Sequence, residues 1–274
     1  MSAHASGDAT GGPDTIVLVH GLWVTPRSWE LFRGHYEAKG FRVLAPAYPG
    51  MDVEVEALNA DPSPIEVLDT ETIAHHYETV IRALPRPPIV IGHSMGGGLT
   101  QILLDRGLGT AGVAISSVPV KGVKLLPPKT IRGVLPVLKN PANRHKAVGF
   151  TYEQWHEYFA NGLSDAEAPA AYERYHVPAP GRVVFEGATA TFHPHAPNKV
   201  DFDKEDRAPL LFISGGIDNL MPPSVQKSNA RLYNSGLVAR KEYADRSHFI
   251  CGERGWEEVA DFALAWALSP TEDV

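Results

Sequence analysis

Ser94 stands in Gly92-His93-Ser94-Met95-Gly96, a pattern that places a hydroxyl between residues with little or no side chain. A serine oxygen attacks poorly unless a base takes its proton, so the chemistry open to such a motif is transfer of an acyl group. The glycines fit a sharp strand-to-helix turn, which exposes the hydroxyl only if nothing beside it clashes. The same residues also suit a purely structural turn that packs a helix on a sheet. The choice depends on whether a base and an acid exist elsewhere.

Both types occur in suitable places. Asp218 ends Ser214-Gly215-Gly216-Ile217-Asp218, and His248 ends Ala244-Asp245-Arg246-Ser247-His248. An imidazole can accept the serine proton, and a carboxylate can hold that imidazole in the useful tautomer and stabilise its charged form. Asp245 is a rival acid, but it shares a short loop with His248, which makes the geometry awkward. His20 and His93 read as groups that tie loops together, and Cys251 as a small apolar filler.

These groups need elements to hold them. Residues 16–20, 42–47, 88–92, 112–116 and 209–214 are apolar or β-branched runs that suit strands buried on both faces, and 238–243 alternates as a sixth. Helical spacing fills 27–39, about 65–84, 95–106, 222–233 and 255–268, with Gly40 and Pro222-Pro223 as boundary signals. Alternating strands and helices imply an α/β fold with a doubly wound, mostly parallel sheet. Ser94 then follows one strand, Asp218 another and His248 a third, where catalytic groups gather in open α/β sheets.

Residues 118–206 break this rhythm and are rich in proline, aromatics and histidine, which suggests an inserted, largely helical cap. The expected organisation is a flexible tail at 1–13, a core at 14–117 and 207–274, and the cap between. Within the cap, His193 and His195 with Asp201 and Asp203 invite a metal reading. Pro194 between the histidines and the lack of a third ligand at fixed spacing argue against it, and no metal is expected. Trp155, Tyr158 and Phe159 recur at helical spacing; if that face turns toward Ser94, Trp155 and Phe159 line the substrate pocket. From Lys121 to Lys146 the chain carries seven Lys and Arg and no Asp or Glu. A solvated basic face, an entrance for anionic substrates and a surface for anionic lipid all fit this stretch.

Composition narrows the field. The chain of 274 residues is 43% hydrophobic and 21% charged with a formal charge of −7, so a large core is expected and nucleic acid is a poor partner. A single cysteine cannot form an internal disulfide, which favours a reducing cytoplasm. No signal-peptide pattern and no run of ~20 apolar residues is found, so no stable membrane insertion is expected.

The elbow at Gly92–Gly96, His20-Gly21 after the first strand, Gly-Gly-x-Asp ending at Asp218 and followed by Met221-Pro222, and Ser247-His248 together resemble the α/β-hydrolase-fold superfamily, in its serine esterase, lipase and perhydrolase branch. The resemblance covers nearly the whole chain outside the cap and tail. It implies the order Ser94, Asp218, His248 for nucleophile, acid and base, and an oxyanion hole from the backbone N–H groups of Leu22 and Met95. Trp23, beside Leu22, is then expected to touch substrate. Ser116-Ser117-Val118-Pro119 offers no carboxylate where some relatives carry their acid, and the usual opening antiparallel hairpin is missing. The implied activity is hydrolysis of a small or medium apolar carboxylic ester through an acyl-enzyme, without a cofactor. Lactonase, thioesterase and perhydrolase activities, or a non-catalytic ligand-binding module, are the alternatives. A homo-oligomer remains open.

Overall fold

A computed structural model describes residues 12–124 and 127–272; apart from Gly12 and Pro13, the expected tail lies outside them. The chain begins with β1 (Thr15–Val19), α1 (Glu30–Ala38), β2 (Arg42–Leu44), α2 (Val55–Ala60), α3 (Thr70–Arg82), β3 (Ile89–His93), α4 (Met95–Asp105) and β4 (Ala111–Ile115). An insertion follows, with α5 (Pro128–Leu138), β5 (Ala147–Val148), α6 (Tyr152–Tyr158), α7 (Ala168–Tyr175), β6 (Ala179–Pro180) and α8 (Gly181–Thr189). The chain then returns through β7 (Leu210–Gly215), α9 (Pro223–Ala230), β8 (Val238–Tyr243) and α10 (Trp256–Leu268).

Six strands form one sheet in the order β2-β1-β3-β4-β7-β8, and every neighbouring pair is parallel. Strand side chains alternate between faces. Val17, Val19 and Val90 therefore join an apolar cluster with α3 and α4, whereas Ile16, Leu18, Ile89 and Ile91 join one with α1 and α10. Helices on both faces explain why β1, β3, β4 and β7 are buried at every position, and hence why they read as continuous apolar runs.

Two departures from the sequence pattern have local causes. The stretch expected as one helix over 65–84 is divided: a 3-10 turn covers Ser63–Ile65, and α3 starts at Thr70 because Asp69 accepts the Thr72 N–H at 2.8 Å. α2 was not anticipated, being six residues long with little periodicity. Between β4 and β7 the chain forms α5 to α8 and a short antiparallel ribbon of β5 and β6. Val137, Trp155, Phe159 and Val183 of this stretch share the apolar cluster of Val17 and Val19, so it has no separate core.

Candidate active site

β3 runs into α4 through Ser94, whose backbone angles are φ 55° and ψ −116°. For a residue with a Cβ this conformation costs on the order of 1–3 kcal/mol, so its surroundings must enforce it. They do so by close packing and hydrogen bonds. A Cβ on Gly96 would lie 1.9 Å from the Val19 carbonyl oxygen, and one on Gly92 would lie 2.0 Å from that of Gly96. The Ser94 N–H donates to Ile115 O at 2.9 Å, and Ser94 O accepts from Gly97 at 3.0 Å and Val118 at 3.0 Å. The turn is thus held from β1, β4 and the first turn of α4.

The loops after β7 and β8 are stitched together. Gly216 N–H donates to Tyr243 O at 2.7 Å and Ile217 N–H to Arg246 O at 3.0 Å. This brings Asp218 and His248 into a hydrogen bond of 2.8 Å between Oδ2 and Nδ1, with both side chains fully buried. Asp218 Oδ1 accepts the N–H groups of Leu220 at 2.8 Å and Met221 at 2.7 Å, which fixes the carboxylate plane. With Nδ1–H directed at Asp218, Nε2 is the ring nitrogen left with a lone pair, and it is buried without a hydrogen-bond partner among the described residues. Asp245 lies elsewhere: its side chain is 78% exposed and paired with Arg246 at 2.7 Å.

His248 is held from three sides. His93 Nε2–H donates to its carbonyl oxygen at 2.7 Å. Phe159 stands edge-on to its ring at 4.8 Å, and Trp155 stacks behind Phe159 at 5.6 Å. Burial, followed by the neighbouring His248, keeps the His93 imidazole well below its ordinary pKa and therefore neutral. Glu253 supplies the third side and was not anticipated. It is 4% exposed, and its Oε1 and Oε2 accept the N–H and hydroxyl of Ser247 at 2.7 and 2.8 Å. A glutamate in Cys-Gly-Glu-Arg-Gly reads as a solvated loop residue, so the pattern offered no signal for it.

After β1 the chain turns so closely against the elbow that a Cβ on Gly21 would lie 2.9 Å from Ser94 Cβ. His20 fixes this turn: its Nδ1–H donates to Gly21 O at 2.9 Å and its Nε2 accepts from Tyr48 N at 3.3 Å. Burial lowers the His20 pKa from 6.5 to about 4, in keeping with this neutral tautomer. The N–H groups of Leu22 and Met95 make no hydrogen bond among the described residues. A cavity of about 280 Å³ is lined by Ser94, Leu22, Met95, Trp23, Val183 and Leu220, among mostly apolar neighbours.

Of the aromatic residues expected in the pocket, Trp23 is on the cavity wall, its indole stacked on Phe150 at 4.3 Å and donating to Val148 O at 3.1 Å. Trp155 and Phe159 do not line this cavity; both are fully buried, and their face turns to His248. Helical spacing revealed that face but not its partner. His193 and His195 are exposed on a separate cleft with Arg144 and Arg182, and no group of three acidic, His or Cys side chains suited to a metal occurs among the described residues.

Residues 16–262 match the alpha/beta hydrolase family. The chain is a member of that family. No curated protein matches it by sequence. Solved structures with the same fold include a pyrethroid hydrolase from Sphingobium faniae JZ-2, 20% identical over 93% of this chain and 98% of the other, with a TM-score of 0.67. A monoacylglycerol lipase from Paleococcus ferrophilus is 18% identical over 95% and 97% of the two chains, with a TM-score of 0.64. A methylesterase from Arabidopsis is 15% identical over 92% and 97%, with a TM-score of 0.61. Among the described residues of this hydrolase-family chain, no helix is long and apolar enough to cross a membrane.

Proposed function

We propose that this chain is a serine hydrolase that cleaves a small or medium carboxylic ester, with Ser94 as nucleophile, His248 as base and Asp218 as its orienting acid. The observation that carries this reading is the buried Asp218–His248 hydrogen bond, which leaves Nε2 as the unpartnered nitrogen, together with the strained Ser94 turn on the cavity wall. The names of the structural neighbours, a pyrethroid hydrolase, a lipase and a methylesterase, agree with this class.

In this mechanism Ser94 Oγ attacks the carbonyl carbon while its proton passes to His248 Nε2. Asp218 keeps the proton of Nδ1 in place and offsets the imidazolium charge. The oxyanion forms between the Leu22 and Met95 N–H groups, which have no competing acceptor among the described residues. Breaking the C–O bond releases the alcohol with the proton from His248, and water repeats the sequence to free the acid. No metal or cofactor takes part. The insertion, taken as a cap over 118–206, supplies the apolar wall through Val134, Val183 and Val184, which selects an apolar acyl or alcohol group.

The test is labelling with a fluorophosphonate, with a panel of chromogenic esters, lactones and thioesters run beside it. Wild type should be labelled and turn over at least one ester, and Ser94→Ala should do neither. An unlabelled wild type with no acyl turnover would overturn the assignment.

A further inference from the structure

The outward face of α5 combines features that the proposed chemistry at Ser94 does not use. Its inward residues Thr130, Gly133 and Val137 are buried, whereas Ile131 and Leu135, one turn apart, are 47% and 48% exposed. Lys129 and Arg132 lie exposed on the same helix and Lys139 at its C-cap, and Lys124 is exposed shortly before it in the chain. None of these four forms an ion pair among the described residues, although the chain is acidic overall and Arg27, Arg33, Arg82, Arg106, Arg174 and Arg182 are all paired. Glu157, on the neighbouring α6, forms no ion pair with them among the described residues. Unpaired cations together with exposed aliphatic side chains make an amphipathic surface of positive sign.

This surface adjoins the cavity. Ile131 lines the cavity and is half exposed, so the cavity wall reaches solvent along α5. Lys129 Nζ donates to Asn219 Oδ1 at 2.7 Å, and the next residue, Leu220, is again on the cavity wall. Lys129, Arg132 and Lys139 thus each adjoin in sequence a residue of the cavity wall, Thr130, Ile131 and Leu138 respectively.

We propose that the outer face of α5 docks on an anionic lipid–water interface, so that an amphiphilic ester passes from that interface into the cavity. The passage of substrate rests on the hydrolase reading of Ser94; the docking does not. Charge complementarity selects this occupant. A second copy of the chain would set this basic face against its own kind in a two-fold contact, where like charges repel. A soluble anionic ligand needs the cations but has no use for exposed Ile131 and Leu135, which a lipid interface takes up.

Co-sedimentation with phosphatidylcholine vesicles, with and without phosphatidylserine, tests the proposal on the full chain. Wild type should bind only the vesicles containing phosphatidylserine, and added salt should release it. The charge reversal Arg132→Glu with Lys139→Glu should weaken binding at least about tenfold, and Leu135→Asp should weaken it severalfold. Both variants should hydrolyse a short soluble ester as wild type does. Binding that ignores phosphatidylserine, no binding to either vesicle, or a charge-reversed variant that binds like wild type would overturn the docking. So would capture by heparin without capture by vesicles. Vesicle binding needs no turnover, so a chain that docks but leaves every ester intact counts against the hydrolase reading alone.

Discussion

Glu253 grips Ser247 at two points, accepting its backbone N–H on one carboxylate oxygen and its hydroxyl on the other. The Ser247 hydroxyl in turn accepts the N–H of Phe249 at 3.2 Å, so the residues on both sides of His248 depend on one buried carboxylate. A Cβ on Gly162 would lie 2.1 Å from Glu253 Oε2, which places the insertion directly over this clamp.

In the proposed mechanism Glu253 is a positioning residue for His248. Glu253→Ala should lower stability by about 2 kcal/mol, because it strands a buried N–H and a hydroxyl. It should also lower kcat roughly tenfold with KM little changed, since loosening the base affects the reacting geometry more than ground-state binding. Glu253→Gln, which keeps an acceptor for the N–H, should restore most of both. Urea unfolding and steady-state kinetics on the three proteins decide it; a kcat that tracks stability alone, with no rescue by Gln, would make the role merely structural.

Burial is the main cause that raises the Glu253 pKa, opposed by its hydrogen bonds to Ser247. A carboxyl raised in the folded state gives stability that is present below the unfolded pKa near 4.5 and lost as pH rises through the folded value. Glu253→Gln cannot ionise and escapes that loss. Its stability relative to wild type should therefore improve between pH 4 and 7, as measured by urea unfolding across that ~3-unit range. A constant difference would refute the assignment.

His20 and His176 work in the opposite direction. Burial lowers both from 6.5 to about 4, and His176 Nε2 accepts the Phe150 N–H at 3.0 Å, which only the neutral ring can do. A depressed histidine contributes stability that is present above the unfolded pKa and lost as pH falls toward the folded one, because the unfolded chain binds the proton first. Each should cost about 3 kcal/mol by the time pH reaches ~4. Unfolding free energies between pH 7 and 4.5 should decline steeply in wild type and less steeply in His176→Gln. Equal slopes would exclude His176 as a source.

Asp218 and Asp245 can be separated by the same substitution at each. In Asp218→Asn the N–H groups of Leu220 and Met221 should hold the amide oxygen, as they hold Oδ1 now, and turn the amide nitrogen toward His248. Nδ1 would then have to accept, which moves the ring proton to Nε2 and removes the base. The expected loss in kcat is about 10³–10⁴-fold. Asp245→Asn should stay within about twofold, since an exposed pair such as Asp245–Arg246 contributes little. The reverse ranking would transfer the acid role to Asp245.

What could be read from residue order alone follows from how local each cause is. The buried strands announce themselves because helices cover both faces, and Ser94, Asp218 and His248 stand out because each follows a strand. The division of the 65–84 stretch was also written locally, in Pro62, Pro64 and the cap residue Asp69, but periodicity masked it. Trp155 and Phe159 show the limit: spacing identifies an apolar face, yet only the path of the insertion turns it toward His248 rather than the cavity. Glu253 is invisible for a similar reason, because its burial is created by Gly162 and Ser247, which are distant or unremarkable in its own loop.

Gly21 gives a test in which folding and catalysis should part. A methyl group there would meet Ser94 Cβ at 2.9 Å and His93 O at 3.2 Å, contacts that require a small shift of the turn carrying Leu22. By contrast a methyl on Gly96 would meet the Val19 carbonyl at 1.9 Å, in the middle of the packed sheet. Gly21→Ala should therefore still fold, with a lowered melting temperature, but lose about 10²-fold in kcat, as expected when one oxyanion donor moves out of place. Labelling by a fluorophosphonate should slow with it, because that reagent also forms its charged intermediate in the same hole. Gly96→Ala should fail to accumulate as folded protein. A Gly21→Ala enzyme with full kcat would remove the Leu22 N–H from the mechanism.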